Sequence, residues 1–251
     1  MEYKEYALIV AGGKGTRIKS KVPKQFLILH GKPVLLHALE AFYRYSEKIN
    51  VILVLPEDDF ETWKLICEKY KFTKNIILQK GGESRFQSVK NGLAKIEGEG
   101  LVAIHDGVRP LVSEDIIGAS FRLAAVHQSA VAAVRLKESI RMTDQACLPA
   151  LRTTSGGGPE GSSARRQDNT KAVDRSRFRL IQTPQTFHVQ LIKKAYEIKE
   201  DPSLTDDASV AEKAGHVISL FEGSYENIKI TTQEDLIVAE ALLKSKSGQK
   251  V

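Results

Sequence analysis

Three glycines, a lysine and an arginine crowd one short stretch near the start of the chain, LIVAGGKGTR (8–17), where they interrupt an apolar run. Consecutive glycines let backbone approach a ligand without side-chain obstruction, and their N–H groups converge on oxygen atoms. Arg17 adds a planar fork suited to phosphate. The chemistry on offer is anion binding, and two named phosphate loops are excluded. A dinucleotide fingerprint needs a third glycine where Ile18 stands, and a Walker A loop needs Ser or Thr where Gly15 follows Gly13-Lys14. What remains is G-G-x-G-x-R at the end of a hydrophobic run, for which a plain strand-to-helix turn is the bland alternative. Lys24 comes soon after, behind Pro23, whose fixed φ restrains the chain just where the lysine must point.

Other reactive types stand further on. Asp106 lies between His105 and Arg109 in HDGVRP, and the bland reading is a strand-end cap or turn. Thr205 and Asp206 open TDDAS, for which the bland reading is a helix N-cap, with Thr205 capping and the acids favouring the helix dipole, a role that can coexist with binding. Arg175 beside Asp174 reads as an exposed pair of little energetic consequence. The histidines have no ligand spacing, so no metal cluster is expected. Cys67 and Cys147 are far apart in no metal or redox spacing, so no disulfide is expected and Cys67 is read as core.

These groups need elements to position them. YALIVA (6–11), NVILVLP (50–56), NIILQKG (75–81), LVAIHDG (101–107) and AVAAVRL (130–136) are continuously apolar, as parallel strands buried on both faces should be. Helical patterns lie between them: Phe60, Trp63, Cys67 and Tyr70 share one face, and Phe86, Val89, Leu93 and Ile96 share another. The expected fold is therefore α/β, a Rossmann-like three-layer sandwich around a mostly parallel sheet. Ligands in such sheets collect at the carboxyl ends of strands, where both AGGKGTR and HDGVRP fall. The rhythm stops after about Lys137. RTTSGGGPEGSSARRQDNT (152–170) has no apolar period and reads as a flexible loop. Order resumes with FRLIQTPQTF (178–187), a helix near 188–199 and HVISLFEG (216–223). NIKITT (227–232) and a closing helix follow, which Thr232 caps with Asp235 as its box partner. One domain over 1–251, with an arm or flexible insertion at about 138–172, is the simplest partition.

Composition narrows the partners. The 251 residues contain no apolar run near the roughly 18–20 residues of a membrane span, and the N-terminus lacks a signal peptide's order, so the cytoplasm is the default location. The net charge of +6 suits an anionic partner. Because the basic residues are scattered rather than striped with aromatics, a small anionic substrate fits better than nucleic acid.

Taken in order, AGGKGTR, PKQF, GGESRFQSVKNGL (81–93), HDGVRP (105–110), VDRSRFRLIQTPQTF (173–187), TDDASVAEKAG (205–215) and NIKITTQEDLIVAE (227–240) resemble the 2-C-methyl-D-erythritol 4-phosphate cytidylyltransferases of the non-mevalonate isoprenoid pathway. The resemblance spans nearly the whole chain except about 143–170. It implies transfer of CMP from CTP to the polyol phosphate with release of pyrophosphate, aided by Mg²⁺ or another divalent cation held mainly by CTP phosphates. It implies that Ala11, Gly12, Gly13 and Gly15 wrap the CTP ribose and phosphates. Arg17 and Lys24 would neutralise the triphosphate, with Lys24 at the α-phosphate, and Lys229 would lie at the polyol phosphate. The need to stabilise charge at the α-phosphorus makes Arg17, Lys24 and Lys229 the expected catalytic residues, with the two lysines flanking that phosphate. Gly82, Glu83 and Ser88 would read cytosine; Glu83 stands where the family often has Asp. Asp106 and Gly107 would lie near the ribose and the metal, with Gly107 replacing a common Ala. Arg109, Ser139, Arg175, Thr183, Thr205 and Asp206 would surround the polyol phosphate, Ser139 replacing a more usual Thr. The resemblance also implies a β-arm that embraces a second subunit, a homodimer in which Arg175 serves the partner's site. The family pattern does not explain TTSGGGPEGSSARRQ, which reads as a disordered arm tip or, second, as an altered subunit contact with Arg165 and Arg166 as added cations. Two alternatives stay open: a cytidylyltransferase for ribitol 5-phosphate, whose motifs are similar, and a non-catalytic nucleotide-binding regulator.

Overall fold

The computed structural model describes residues 3–13, 22–143 and 170–248, which fall into two compact units, Arg135–Leu180 and the remainder. In the larger unit β1 (Glu5–Val10) enters the glycine turn. A single 3₁₀ turn at Lys24–Phe26 precedes the short strands β2 (Ile28–Leu29) and β3 (Lys32–Pro33) and helix α1 (Val34–Tyr45). Then come β4 (Asn50–Leu55), α2 (Phe60–Lys69), β5 (Ile76–Lys80), α3 (Arg85–Leu93), β6 (Leu101–Asp106), α4 (Glu114–His127) and β7 (Ser129–Arg135). The smaller unit holds β8 (Arg141–Thr143) and β9 (Thr170–Ala172). The chain closes with β10 (Arg179–His188), α5 (Val189–Ala195), α6 (Asp207–Lys213), β11 (Leu220–Glu222) and α7 (Gln233–Gly248).

Seven strands form one sheet in the order β11-β7-β10-β6-β1-β4-β5. β1 runs parallel to β4 and β6, β4 to β5 and β7 to β11, while β10 is antiparallel to β6. The expected mostly parallel α/β sheet is thus present. Its central strands are apolar at consecutive positions because both faces are covered. Ala7, Ile9, Leu53 and Ala103 pack with Leu39, Phe42 and Phe121 from α1 and α4. Tyr6, Leu8, Val10, Ile52 and Ile104 pack with Phe86, Val89 and Ile192 from α3 and α5. Each fully buried Leu or Ile contributes roughly 1.5–3 kcal/mol, so a register slip in β1 would disturb both layers at once.

The helical faces read from sequence are the ones buried. Trp63 lies in the first cluster with Phe60, Cys67 and Tyr70 packed against it. Phe86, Val89, Leu93 and Ile96 all lie in the second, although Ile96 falls in the turn after α3. At the start of α7, Asp235 Oδ2 accepts the Thr231 and Thr232 N–H groups at 2.8 Å each, and Asp235 N–H donates to Thr232 Oγ1 at 3.4 Å. That is the reciprocal cap expected there. Strand structure in 216–223 is shorter than the sequence suggests, confined to Leu220–Glu222. Residues 227–232 are irregular, and Ile230 N–H donates to the Val108 carbonyl at 2.9 Å.

In the smaller unit β8 and β9 pair antiparallel with Met142 opposite Lys171. Gly15, Arg17, Cys147 and the Gly/Ser-rich stretch lie outside the described residues. Among the described residues, no helix is long and apolar enough to cross a membrane.

Candidate active site

The carboxyl ends of β1, β5 and β6 lead into residues 11–13, 82–83 and 106–109. Register pairs Val10 with Asp106, so the glycine turn and the HDGVRP turn leave the sheet side by side. Gly107 N–H donates to the Val10 carbonyl at 2.9 Å. A Cβ on Gly107 would stand 2.9 Å from Ala11 Cβ and from Leu35 Cδ1. The two turns therefore touch too closely for an alanine without repacking. Beyond Ala11, a Cβ on Gly12 would lie 3.9 Å from Ser88 Oγ, and one on Gly13 would lie 3.3 Å from Lys24 Cε. Lys24 thus passes beside Gly13.

The loop between β5 and α3 is built by its own side chains. Ser84 caps α3 by accepting from Gln87 N–H at 3.0 Å. Ser88 Oγ accepts from Gly82 N–H at 3.0 Å and donates to the Ser84 carbonyl at 2.8 Å. Glu83 N–H donates to Gln87 Oε1 at 3.1 Å. A Cβ on Gly82 would come within 2.4 Å of Gln87 Cβ, so this loop closes only with glycine there.

Asp106 is the electrostatic centre. Its carboxylate lies 2.9 Å from Lys229 Nζ, 3.4 Å from Arg109 Nε and 3.7 Å from Arg85 Nε. Burial alone would raise its pKa, yet Arg85, Lys229 and Arg109 hold it well below the usual carboxylate range. Arg109 is itself pulled below its ordinary value by burial, which Asp106 partly offsets. Arg85 forms a two-pronged pair with Asp207 at 2.8 and 2.7 Å, and Tyr196 donates to the same carboxylate at 2.6 Å. Burial works against the Arg85 charge, and Asp207 and Asp106 more than compensate.

Behind this cluster lies a second polar layer. Asp106 N–H donates to Thr183 Oγ1 at 3.1 Å, and Thr183 Oγ1 lies 3.1 Å from His105 Nδ1. Arg109 Nη1 donates to the Asn227 carbonyl at 2.7 Å, and Asn227 Nδ2 donates to the Thr183 carbonyl at 2.8 Å. Burial pushes the His105 imidazole down to about 4.

The description of the matching sequence model is 2-C-methyl-D-erythritol 4-phosphate cytidylyltransferase, and it covers residues 6–155 and 163–245. The chain belongs to this family. A protein of Bacteroides fragilis with the same family name is 46% identical over 237 residues, 94% of this chain and 98% of its own. Its counterpart in Bacteroides thetaiotaomicron is 43% identical over 240 residues, 96% and 100% of the two chains. Among solved structures, the 4-diphosphocytidyl-2C-methyl-D-erythritol synthase of Anaerococcus prevotii superposes with a TM-score of 0.76 at 29% identity, covering 96% of each chain. The family match reaches further into the 143–170 stretch than the motifs had suggested, leaving out 156–162 alone within its span.

Family membership makes the chain a nucleotidyltransferase, and the geometry can be set beside the residues that the motifs had marked. Ala11, Gly12, Gly13, Gly82, Glu83, Gly107 and Arg109 follow the ends of β1, β5 and β6, where Asp106 closes β6. Ser88 is in the first turn of α3, Lys24 lies beside Gly13, and Lys229 reaches Asp106 from the irregular segment after β11. Asp206, rather than Thr205, caps α6: its carboxylate accepts from Ser209 N–H at 2.9 Å and its N–H donates to Ser209 Oγ at 3.2 Å. Thr205 is exposed. Thr183, expected toward the polyol phosphate, sits behind Asp106 at 4% exposure. Ser139 and Arg175 belong to the smaller unit, where both are exposed. Arg175 does not pair with Asp174: Arg175 Nη1 donates to the Lys137 carbonyl, and Asp174 accepts from Ser176 N–H at 3.0 Å.

Sequence reasoning passed over Arg85, Asp207, Tyr196 and Asn227. Their available signals were position alone, Arg85 and Asp207 each being the first residue of a helix. Among the described residues, no three His, Cys, Asp or Glu side chains gather as a metal cage. Asp106 is the one carboxylate at this edge already met by three cations, so the donor set fits a cation brought in by phosphate oxygens and not one held by protein alone.

Proposed function

We propose that this chain transfers CMP from CTP to 2-C-methyl-D-erythritol 4-phosphate. The observation that carries the reading is the meeting of Lys229 with Asp106, 2.9 Å apart, next to the strand end that bears the glycine turn. Lys24 beside Gly13 and Lys229 beside Asp106 are cations from opposite ends of the chain set at two adjoining strand ends, which suits two polyanionic substrates.

The reaction needs no dedicated nucleophile. A phosphate monoester has a second pKa near 6, so the attacking oxygen is already largely anionic at neutral pH. Catalysis then rests on bringing two polyanions into line and stabilising charge at the α-phosphorus. In this reading Lys24 and Lys229 flank the α-phosphate, and Arg17 faces the leaving pyrophosphate. Ala11, Gly12, Gly13 and Gly15 admit the ribose and phosphates, and Gly82, Glu83 and Ser88 meet the cytosine edge. Arg109, Thr205 and Asp206 line the polyol-phosphate side. A bound divalent cation, with Asp106 as its one protein carboxylate, would screen the triphosphate charge. The reading extends to a homodimer formed through the arm at about 138–172, with Ser139 and Arg175 serving a polyol-phosphate site, and to a cytoplasmic enzyme.

Pyrophosphate release, measured in parallel with CTP and either 2-C-methyl-D-erythritol 4-phosphate or ribitol 5-phosphate, tests the proposal. Release with the methylerythritol substrate at the higher kcat/KM is expected. A preference for ribitol 5-phosphate would reassign the substrate, and no release with either would overturn the enzymatic reading.

A further inference from the structure

We infer that His105 is a positioning residue for nucleotidyl transfer: it orders the turn presenting Asp106 and Arg109 by orienting the Thr183 hydroxyl from behind. The inference rests on the proposed function for its kinetic consequence, but its geometry stands apart from it.

His105 is wholly buried on β6, with its ring edge-on to Phe42 at 5.2 Å. Hydrogen-bond direction follows from its neighbours. Nε2 faces the Arg109 carbonyl at 3.2 Å, and a carbonyl only accepts, so the ring proton sits on Nε2. In the neutral ring Nδ1 is then an acceptor, and the hydroxyl 3.1 Å away is its donor. Thr183 Oγ1 keeps a lone pair for Asp106 N–H. One directed chain results: Asp106 N–H to Thr183, Thr183 O–H to His105, and His105 Nε2–H to the Arg109 carbonyl. It begins and ends on the same four-residue turn, and so clamps that turn from inside.

The clamp extends through Asn227. This side chain holds the Thr183 carbonyl, while its own carbonyl accepts from Arg109. Asn227 lies two residues before Lys229, so the imidazole is linked to the placement of all three groups of the Asp106, Arg109 and Lys229 cluster. A second consequence concerns Thr183. Its proton points inward, so it acts through the Asp106 backbone and not by donating to a substrate phosphate.

The test combines spectroscopy with kinetics. Long-range ¹H–¹⁵N spectra of the ligand-free wild type at neutral pH should show His105 as the Nε2–H tautomer; an Nδ1–H tautomer or an imidazolium would overturn the inference whatever the enzyme's substrate. For kinetics, H105F keeps the apolar ring and T183V keeps the shape. Each should lower kcat by roughly tenfold through small misplacement of charge, with KM for CTP changed by less than about twofold. The double variant should be no worse than the weaker single one, because both break one chain. In H105N the amide can restore the acceptor toward Thr183, and much of the lost kcat should return. Thermal melts on the same samples separate positioning from unfolding. A folded H105F with wild-type kcat, multiplying losses in the double variant, or kcat falling only as melting does would each overturn the proposal. Should H105F not fold, T183V and the tautomer decide. An inactive wild type that still shows the Nε2–H tautomer would count against the proposed function and not against this geometry.

Discussion

Asp106 faces two kinds of cation. Arg85 and Arg109 each have a second anchor, Asp207 for the first and the Asn227 carbonyl for the second. Lys229 has Asp106 as its charged partner among the described residues, and its side chain is 40% exposed against 10% for Arg109. The same carboxylate therefore holds fixed cations on its inner side and a reachable one on its outer side. Arginine suits the inner role because its planar fork takes two partners in set directions. Lysine, a compact charge on a flexible stem, suits the outer role. In the proposed reading Lys229 is then the cation free to turn toward a substrate, while Arg85 and Arg109 hold the carboxylate whatever else Arg109 meets.

The largest effect is expected on the inner side. Asp207 is completely buried, and Asp207→Asn removes the charge that compensates Arg85. Breaking a buried pair by removing one partner costs about 3–5 kcal/mol. The low end, about 3 kcal/mol, applies here because the Arg85 side chain keeps 28% exposure and retains Asp106. Urea unfolding of the variant against wild type measures it. A midpoint within error of wild type would mean that the inner pair is not structural, and the contrast with Lys229 would collapse.

Next in size is the outer side. Lys229→Ala should cut turnover by about 10²-fold, the loss expected for one preorganised charge at a reacting centre. Its effect on stability should stay below about 1 kcal/mol, since the Lys229 side chain is 40% exposed and Asp106 keeps Arg85 and Arg109 as partners. Measuring kcat and the urea midpoint on one preparation sets the two variants side by side. If Lys229→Ala unfolds as readily as Asp207→Asn, the lysine belongs with the arginines.

How much of this was legible beforehand depends on whether the interaction is local. The glycine turn, the HDGVRP turn and the α7 cap are set by residues a few positions apart, so spacing alone exposed them. The buried strands were legible because their composition is dictated by being covered on both faces. Arg85 and Asp207 were not, because each reads as an ordinary polar residue in the first turn of a helix. Their meaning comes from the fold bringing the starts of α3 and α6 together, and no periodicity encodes that meeting. Thr183 illustrates the complementary case. The resemblance implies a substrate contact, and no local pattern announces that the register of β10 against β6 sets its hydroxyl beside Asp106 N–H.

The smallest effects concern the caps that aim the two inner residues. Ser84 begins α3 and Asp206 begins α6, and both accept an N–H three residues on. Losing such a cap costs about 1 kcal/mol. The two should nonetheless differ. Asp206 also accepts from Gln185 Nε2 at 2.9 Å, and Gln185 Oε1 in turn accepts Ala208 N–H at 2.8 Å. Asp206→Ala therefore breaks a bond in a buried chain as well as the cap, adding about 1 kcal/mol, whereas Ser84→Ala loses only bonds within its own loop. The expected order of urea midpoints is wild type, then Ser84→Ala, then Asp206→Ala. Equal losses would mean that Gln185 contributes nothing to fixing α6, and that Asp207 is held at Arg85 by its bonds with Arg85 and Tyr196 alone.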